Sequence, residues 1–305
     1  MFTEDGQRLV YAYDAEQLWI EPWGPNAIRV RSTKQAEMPS EDWALQMKVE
    51  RQSSVQIAVK EKEASITNGS IKATISAAGK LVVYNSVTNK VLLEEYARNR
   101  SDLLDPKCSS LAIEAREFAP IIGGDYKLTT RFESQDPNEK IFGMGQYQQP
   151  FLDLKGLDLE LAHRNSQASV PFAVSSRGYG FLWNNPAVGR ATFGKFVMSF
   201  EAYSTKALDY WVVADDAGPA AIVEAYAGVT GTVPMMPEYG LGFWQCKLRY
   251  QTQDELLGVA REYRRRNLPI DLIVIDFFHW PLQGDWRFDP VYWPDPGQFV
   301  ICSYS

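Results

Sequence analysis

An aspartate ends an apolar stretch of the chain, at a position where a charge is costly. Residues 270–278 read IDLIVIDFF, so Asp276 directly follows a run of apolar, mostly β-branched residues. Such a run is typical of a strand covered on both faces of a parallel sheet, and a carboxylate there is unfavourable unless polar groups satisfy it. Asp276 is therefore predicted to bind a polar ligand. The alternative is a structural aspartate held by a backbone group or an arginine.

Aromatic residues follow this aspartate closely. Phe277 and Phe278 come next, and Trp280 and Trp286 lie further along. Aromatic side chains combine large apolar faces with specific geometry, which suits stacking on the apolar faces of sugars. Trp280 and Trp286 are accordingly predicted to form a sugar-stacking wall; the alternative is that they pack within loops. The chain has 9 Trp, 15 Tyr and 15 Phe, more than a core needs, although burial in β-sheets is the simpler explanation for many of them.

A strand, a helix and a second strand are predicted to position Asp276. Residues 239–246 predict the first strand. Thr252 and Glu255 form a capping box before apolar residues at helical spacing, and the helix is expected to end before Pro269. Together with the apolar run, these elements make a βαβ unit. Ligands bind at the carboxyl ends of the strands in parallel α/β sheets and barrels, which is where Asp276 is expected.

The chain before about residue 235 has a different pattern. In residues 66–76, Ile71, Ala73 and Ile75 alternate with polar residues, as in a half-buried strand. Turn-forming residues separate further predicted strands at residues 26–31, 126–133, 168–175, 179–183 and 210–214. A short helix is predicted at residues 220–226. Closely spaced short strands of this kind predict an all-β sandwich.

Composition excludes several classes of function. The formal net charge is −7, and the basic residues are scattered rather than clustered, so a nucleic-acid partner is not expected. The cysteines are Cys108, Cys246 and Cys302, and the histidines are His163 and His279. Their spacing predicts neither a disulfide framework nor a metal site. No cofactor is predicted.

Neither export nor a membrane partner is expected from the sequence. Residues 1–8 carry acidic groups where a signal peptide has basic ones, and no apolar h-region follows. No apolar run approaches the 18 residues of a membrane span. The chain as written is expected to be cytoplasmic. Its oligomeric state cannot be predicted.

Several linked motifs resemble glycoside hydrolase family 31, in the correct order over about residues 10 to 296. The motifs similar to the opening of that family's barrel are residues 242–250 (GFWQCKLRY), 266–271 (RNLPID), 275–278 (IDFF), 288–290 (FDP) and 293–296 (WPDP). Those similar to its N-terminal sandwich are residues 139–146 (EKIFGMGQ), 170–172 (VPF) and 177–186 (RGYGFLWNNP).

The resemblance implies a fold and an activity. The fold class is mainly β with an α/β start: an N-terminal β-sandwich (galactose-mutarotase-like) at residues 1–235, then the first βαβ of an incomplete (β/α)8 (TIM) barrel at 236–305. Members of the family are exo-acting α-glucosidases and α-xylosidases that use two aspartates in a retaining mechanism. In the family these aspartates lie on later barrel strands, so no catalytic residue is assigned in this chain. The expected partner is an oligosaccharide: an α-xyloside, such as a xyloglucan oligosaccharide, or an α-glucoside.

Substrate-binding residues also follow from the resemblance. Asp276 matches an aspartate that binds hydroxyls of the terminal sugar, and Phe277 and Phe278 lie where the family surrounds that sugar's C5 substituent. Two bulky rings would leave the hydroxyl of a hydroxymethyl group unpaired, and xylose lacks that group. An α-xylosidase is therefore favoured over an α-glucosidase. Leu248, where α-glucosidases often have an aromatic residue, favours the same assignment, and Trp280 is included among the substrate-binding residues.

A loop of the family's sandwich domain reaches the active site. Residues 161–166 match this loop, and His163 and Asn165 are its predicted substrate-binding residues. Some relatives have an acidic residue there that this sequence lacks. A solvated loop without a function is the alternative.

The end of the chain departs from the family pattern. Residues 297–305 lack the helical spacing expected there, so we expect a break near residue 297, of the kind that a misplaced splice boundary or a partial gene produces. The chain is then the inactive front part of a glycosidase. The alternatives are a non-catalytic carbohydrate-binding β-sandwich module and a product without function; the barrel start argues against the module.

Overall fold

The computed structural model describes residues 1–46 and 55–297. The chain divides into two compact units, Met1–Thr232 and Val233–Ser305. They are called unit 1 and unit 2 below. Cys302 and most of the divergent tail lie outside the described residues.

Unit 1 consists mainly of strands. In chain order, β1 to β9 are Phe2–Asp5, Arg8–Tyr13, Glu16–Pro22, Ala27–Thr33, Val55–Val59, Glu63–Asn68, Ile71–Ser76, Leu81–Asn85 and Val91–Glu94. The next nine, β10 to β18, are Arg116–Pro120, Tyr126–Glu133, Ile141–Gln146, Asp158–Leu161, Ala168–Ser175, Tyr179–Trp183, Gly189–Phe193, Val197–Thr205 and Leu208–Ala214. One helix, α1, follows at Pro219–Thr230.

The strands of unit 1 form three antiparallel sheets. The largest has eight strands in the order β1-β2-β3-β4-β18-β15-β14-β12, and the second has five in the order β10-β11-β17-β16-β13. The third is the five-stranded meander β5 to β9. In the largest sheet, β18 pairs with β4 on one side and with β15 on the other. It thereby joins the start of the chain to the end of unit 1.

One hydrophobic core is shared by the three sheets. It contains Leu9 of β2 in the largest sheet, Ile66 of the meander and Phe132 of the second sheet, each at most 1% exposed. The alternation predicted for residues 66–76 is confirmed, since Ile71, Ala73 and Ile75 are buried while their neighbours are partly exposed. The predicted β-sandwich is therefore the observed architecture of unit 1.

Most strand predictions in unit 1 are confirmed. Residues 126–133, 168–175 and 179–183 form strands with the predicted bounds. The strands predicted at 26–31 and 210–214 are observed at Ala27–Thr33 and Leu208–Ala214. The helix is longer than predicted, because it begins at Pro219 and continues through Gly228 to Thr230.

A buried ion network crosses the middle of the largest sheet. The Arg29 guanidinium contacts the Asp209 carboxylate at 2.6 Å and the Asp42 carboxylate at 2.5 Å. Asn184 donates a further hydrogen bond to Asp209 at 2.7 Å. Arg29 is 1% exposed; burial opposes its charge, but the hydrogen bond and charge of Asp209, together with Asp42, raise its pKa. The network fixes β4 against β18.

Unit 2 has fewer elements. A 3-10 helix at Glu238–Leu241 precedes β19 (Trp244–Gln245), α2 (Gln253–Arg265) and β20 (Leu272–Ile273). The strands β19 and β20 are parallel, with Trp244 opposite Leu272, so the predicted βαβ order is present. The predicted cap is also present: Thr252 accepts a hydrogen bond from the Glu255 backbone, and Arg264 and Arg265 occupy the last turn of α2. No helix among the described residues is long and apolar enough to cross a membrane.

The two strands of unit 2 are much shorter than predicted. Residues 239–246 were expected to be one strand, but the segment starts as a 3-10 helix and only two residues pair. Residues 270–278 likewise contribute two paired residues, and positions 272–275 are partly exposed rather than covered on both faces. Each strand has one partner in the described chain. An apolar sequence extends as a strand only where neighbouring strands accept its hydrogen bonds.

Removing the Arg29 guanidinium should destabilise the sandwich strongly. Arg29→Met would leave the buried carboxylates uncompensated, at a cost of about 3–5 kcal/mol. Urea unfolding measures the change in the free energy of unfolding. Arg131→Met is the matched control, because Arg131 pairs with the more exposed Glu117 and should cost less than about 1 kcal/mol. Equal costs for the two substitutions would contradict the role given to the network.

The pH dependence of stability should include a contribution from Glu94. Partial burial opposes its charge, but hydrogen bonds from Lys107, Lys80 and Gln135 outweigh this and lower its pKa below 4.5. A lowered carboxyl pKa stabilises the fold above the unfolded value, and this stabilisation is lost as the pH falls through the folded value.

The Glu94→Gln substitution tests this contribution. It should destabilise the chain by about 1–2 kcal/mol above pH 5, and the difference from the parent should shrink as the pH falls below 4.5, because the parent carboxyl then becomes neutral too. Denaturant melts from pH 7 to pH 3 measure the difference, with Glu4→Gln as an exposed control. A difference that stays constant with pH would show that charge at Glu94 does not stabilise the fold.

Candidate functional site

Asp276 lies just beyond β20, at the carboxyl end of the parallel pair. Its backbone is in the left-handed region, with φ 68°, which is uncommon for a residue with a side chain. Its Oδ1 atom accepts a hydrogen bond from the Phe277 backbone at 2.9 Å, and Oδ2 lies 3.7 Å from the Cys246 Sγ atom. The left-handed turn follows the end of β20 and places the carboxylate beside Cys246, next to the end of β19.

Cys246 directly follows β19 and is the thiol partner of that carboxylate. Desolvation and then the negative charge of Asp276 raise the pKa of the thiol, so it stays protonated at neutral pH. A protonated thiol is a weak hydrogen-bond donor. The ends of the two strands therefore offer a carboxylate that is oriented from two sides and still has acceptor capacity for hydroxyl groups.

Three aromatic rings beside Asp276 form one cluster, called the aromatic wall below: Phe277, Phe278 and Trp280. The rings of Phe277 and Phe278 are 4.5 Å apart between centroids, and those of Phe278 and Trp280 are 6.0 Å apart. Phe278 is 55% exposed despite these contacts. The wall therefore presents apolar ring surface to solvent next to a carboxylate, the pairing of groups that suits a sugar.

His279 supports the segment that carries the wall. Its Nδ1 atom lies 2.8 Å from the Asp276 carbonyl oxygen, and its ring meets Trp280 edge to face at 4.7 Å. Its carbonyl oxygen accepts a hydrogen bond from the Asp289 backbone at 2.7 Å. These contacts tie residues 276–280 to the loop before the buried Trp293.

Two other predicted residues of unit 2 have strongly exposed side chains. Leu248 is 78% exposed, and Trp286 is fully exposed. No ring contact links Trp286 to Trp280 among the described residues. The two rings are therefore not in contact with each other, and the sugar-stacking wall of Trp280 and Trp286 stays a prediction.

The predicted loop residues belong to unit 1. His163 is exposed, and its Nδ1 atom accepts a hydrogen bond from the Ser169 backbone at 3.3 Å. Asn165 is exposed at the tip of a tight turn closed by a bridge between Arg164 and Gln167. Unit 1 thus presents a compact polar loop, while Asp276 and the aromatic wall belong to unit 2.

Cys246 and Arg249 also contribute to the site, although neither was predicted from the sequence to be a site residue. The Arg249 guanidinium lies 4.7 Å from the Phe278 ring centroid. Both residues follow β19, at the same edge as Asp276, and this position was the signal that could have identified them. Among the described residues, no group of three His, Cys, Asp or Glu side chains is arranged to hold a metal ion.

Family models match both units of the chain. Residues 17–190 match the glycosyl hydrolase 31 N-terminal galactose mutarotase-like domain, and residues 233–302 match the glycosyl hydrolases family 31 TIM-barrel domain. The first model alone covers more than half of the chain.

Curated relatives match as well. An uncharacterized family 31 glucosidase of Pseudescherichia vulneris is 48% identical over 97% of this chain and 57% of its own length. Alpha-xylosidase A of Aspergillus niger is 39% identical over 59% of this chain and 25% of its own length. The α-xylosidase of Saccharolobus solfataricus is 35% identical over 57% of this chain and 25% of its own length. This chain therefore spans little more than half the length of the first of these relatives.

A solved structure covers nearly the whole chain. The family 31 α-xylosidase from a soil metagenome, in complex with xylose, is 52% identical with a TM-score of 0.85, over 99% of this chain and 45% of that one. The matches to both units, together with these relatives, establish that the chain belongs to glycoside hydrolase family 31.

Proposed function

We propose that this chain forms the N-terminal portion of a retaining, exo-acting α-glycosidase that prefers α-xylosides to α-glucosides. One observation carries the proposal: the Asp276 carboxylate is held at the strand ends of unit 2 directly beside the aromatic wall. The carboxylate binds hydroxyls of the terminal sugar, and the wall packs on the sugar's apolar faces. The two catalytic carboxylates of retaining chemistry are supplied by barrel strands outside these 305 residues.

The preference for xylose rests on the rings next to the carboxylate. Phe277 and Phe278 offer no hydrogen-bond donor or acceptor from their side chains, so a C5 hydroxymethyl group beside them would bury an unpaired hydroxyl. A hydroxyl left without a partner costs about 1–3 kcal/mol, so an apolar site of this kind discriminates moderately against it, and xylose has no such group. The α-xylosidase relatives and the xylose-bound structure support the same preference.

Hydrolysis of aryl α-xyloside and aryl α-glucoside by the full-length protein that carries this chain tests the proposal. We expect a higher kcat/KM for the xyloside. A higher kcat/KM for the glucoside would still support an α-glycosidase but would contradict the preference for xylosides. A protein that binds oligosaccharides without hydrolysing either substrate would favour the carbohydrate-binding module instead.

Asp276→Asn should impair catalysis in the same assay. The asparagine side chain carries no negative charge, so its hydrogen bonds to the sugar hydroxyls are weaker than those of the carboxylate. The kcat/KM for the xyloside should therefore fall about 100-fold. Asp285→Asn is the matched control, because Asp285 pairs with Arg287 away from the wall. Wild-type kcat/KM in Asp276→Asn would place the sugar site elsewhere.

Phe278→Ala should change specificity more than it changes folding. Removing the exposed ring opens space for a hydroxymethyl group and its water, so the xyloside-to-glucoside ratio of kcat/KM should fall about 10-fold. Phe243→Ala serves as the control, because Phe243 stacks on Tyr263 rather than on the wall. A ratio that is the same in the parent and in Phe278→Ala would disprove the steric basis of the preference.

A further inference from the structure

Arg249 brings a positive charge to the aromatic wall. Its guanidinium lies 4.7 Å from the centroid of the Phe278 ring. The Arg249 side chain contacts this ring. Within residues 1–46 and 55–297, no carboxylate or carbonyl oxygen pairs with the guanidinium. A cation over an aromatic face is attracted by the negative charge density of the ring. The Arg249 guanidinium therefore interacts with the Phe278 ring rather than with a carboxylate.

The backbone on both sides of this contact is unusual. Arg249 has φ 69° and Phe278 has φ 67°, in the left-handed region that residues with side chains disfavour. The two residues follow different strands, β19 and β20. Backbone conformations of this kind cluster at functional sites, where the surrounding structure holds them. Here the two left-handed turns bring the guanidinium and the ring together across the strand ends.

Phe278 is held from three directions although more than half of its surface is exposed. Phe277 contacts its ring at 4.5 Å and Trp280 at 6.0 Å, while Arg249 lies over its face. The two aromatic neighbours come from the same short segment as Phe278 itself. Arg249 contacts Phe278 from the end of the other strand. This contact can fix the Phe278 ring relative to β19.

We propose that Arg249 is a positioning residue for sugar specificity. By holding the Phe278 ring in place, it keeps closed the space that a C5 hydroxymethyl group would occupy. The inference rests on the proposed function and deepens it, since it identifies what keeps an exposed ring in the orientation that excludes glucosides. Arg249 acts through Phe278 and makes no contact with the sugar.

Arg249→Met tests the proposal in the full-length protein, because methionine keeps an apolar stem and removes the cation. The xyloside-to-glucoside ratio of kcat/KM should fall about two- to fivefold, through a gain on the glucoside. Competitive inhibition by glucose should strengthen relative to inhibition by xylose. Arg249→Lys retains a cation and should keep a ratio closer to that of the parent. Arg287→Met, the same change at an arginine paired with Asp285, should leave the ratio unchanged.

The Phe278→Ala variant separates the two levels of inference. If Phe278→Ala lowers the ratio and Arg249→Met does not, the role of Arg249 is overturned and the proposed preference stands. If neither variant changes the ratio, the steric basis of the preference falls as well. An equal loss of kcat/KM on both substrates in Arg249→Met would mean that Arg249 binds the sugar or supports the fold, and would also overturn the positioning role.

Discussion

The contact between Arg29 and Asp209 is the constraint on which the sandwich depends. β18 is buried along its whole length, yet it carries a carboxylate that cannot be buried alone. Arg29 on β4 neutralises it, although the two residues are 180 positions apart in the chain. The same guanidinium also contacts Asp42, so the segment after β4 is held to the sheet. Register between the first and last parts of unit 1 is thereby fixed by charge as well as by apolar packing.

Unit 2 is organised by a different principle. Its two parallel strands are short, and left-handed backbone occurs in the segments that follow them, at Arg249 after β19 and at Asp276 and Phe278 after β20. These turns interrupt the apolar pattern and direct polar and aromatic side chains to the same edge. Asp276 meets Cys246 there, and Phe278 meets Arg249. At this edge a carboxylate, a thiol, a guanidinium and aromatic rings lie side by side.

Strand existence was easier to predict than strand length. In unit 1, the two-residue alternation of apolar side chains is a local signal, and Tyr126–Glu133 forms with the predicted bounds. In unit 2, continuous apolar runs predicted long strands, but among its residues up to 297 only Trp244–Gln245 and Leu272–Ile273 pair. A run of apolar residues indicates that a segment favours burial, whereas the length of a strand depends on the neighbouring strands that pair with it.

The sequence by itself determined the sandwich, the cap of α2 and the family, because each depends on patterns within short or consecutive stretches. It also placed Asp276, Phe277 and Phe278 together, since they are adjacent in the chain. Only the tertiary structure decided which residues from the other strand end meet them. Cys246 and Arg249 reach Asp276 and Phe278 through parallel pairing and left-handed turns, and neither the register nor a positive φ is encoded by side-chain periodicity. The exposure of Leu248 and Trp286 was decided in the same way, because burial depends on neighbours that are distant in the sequence.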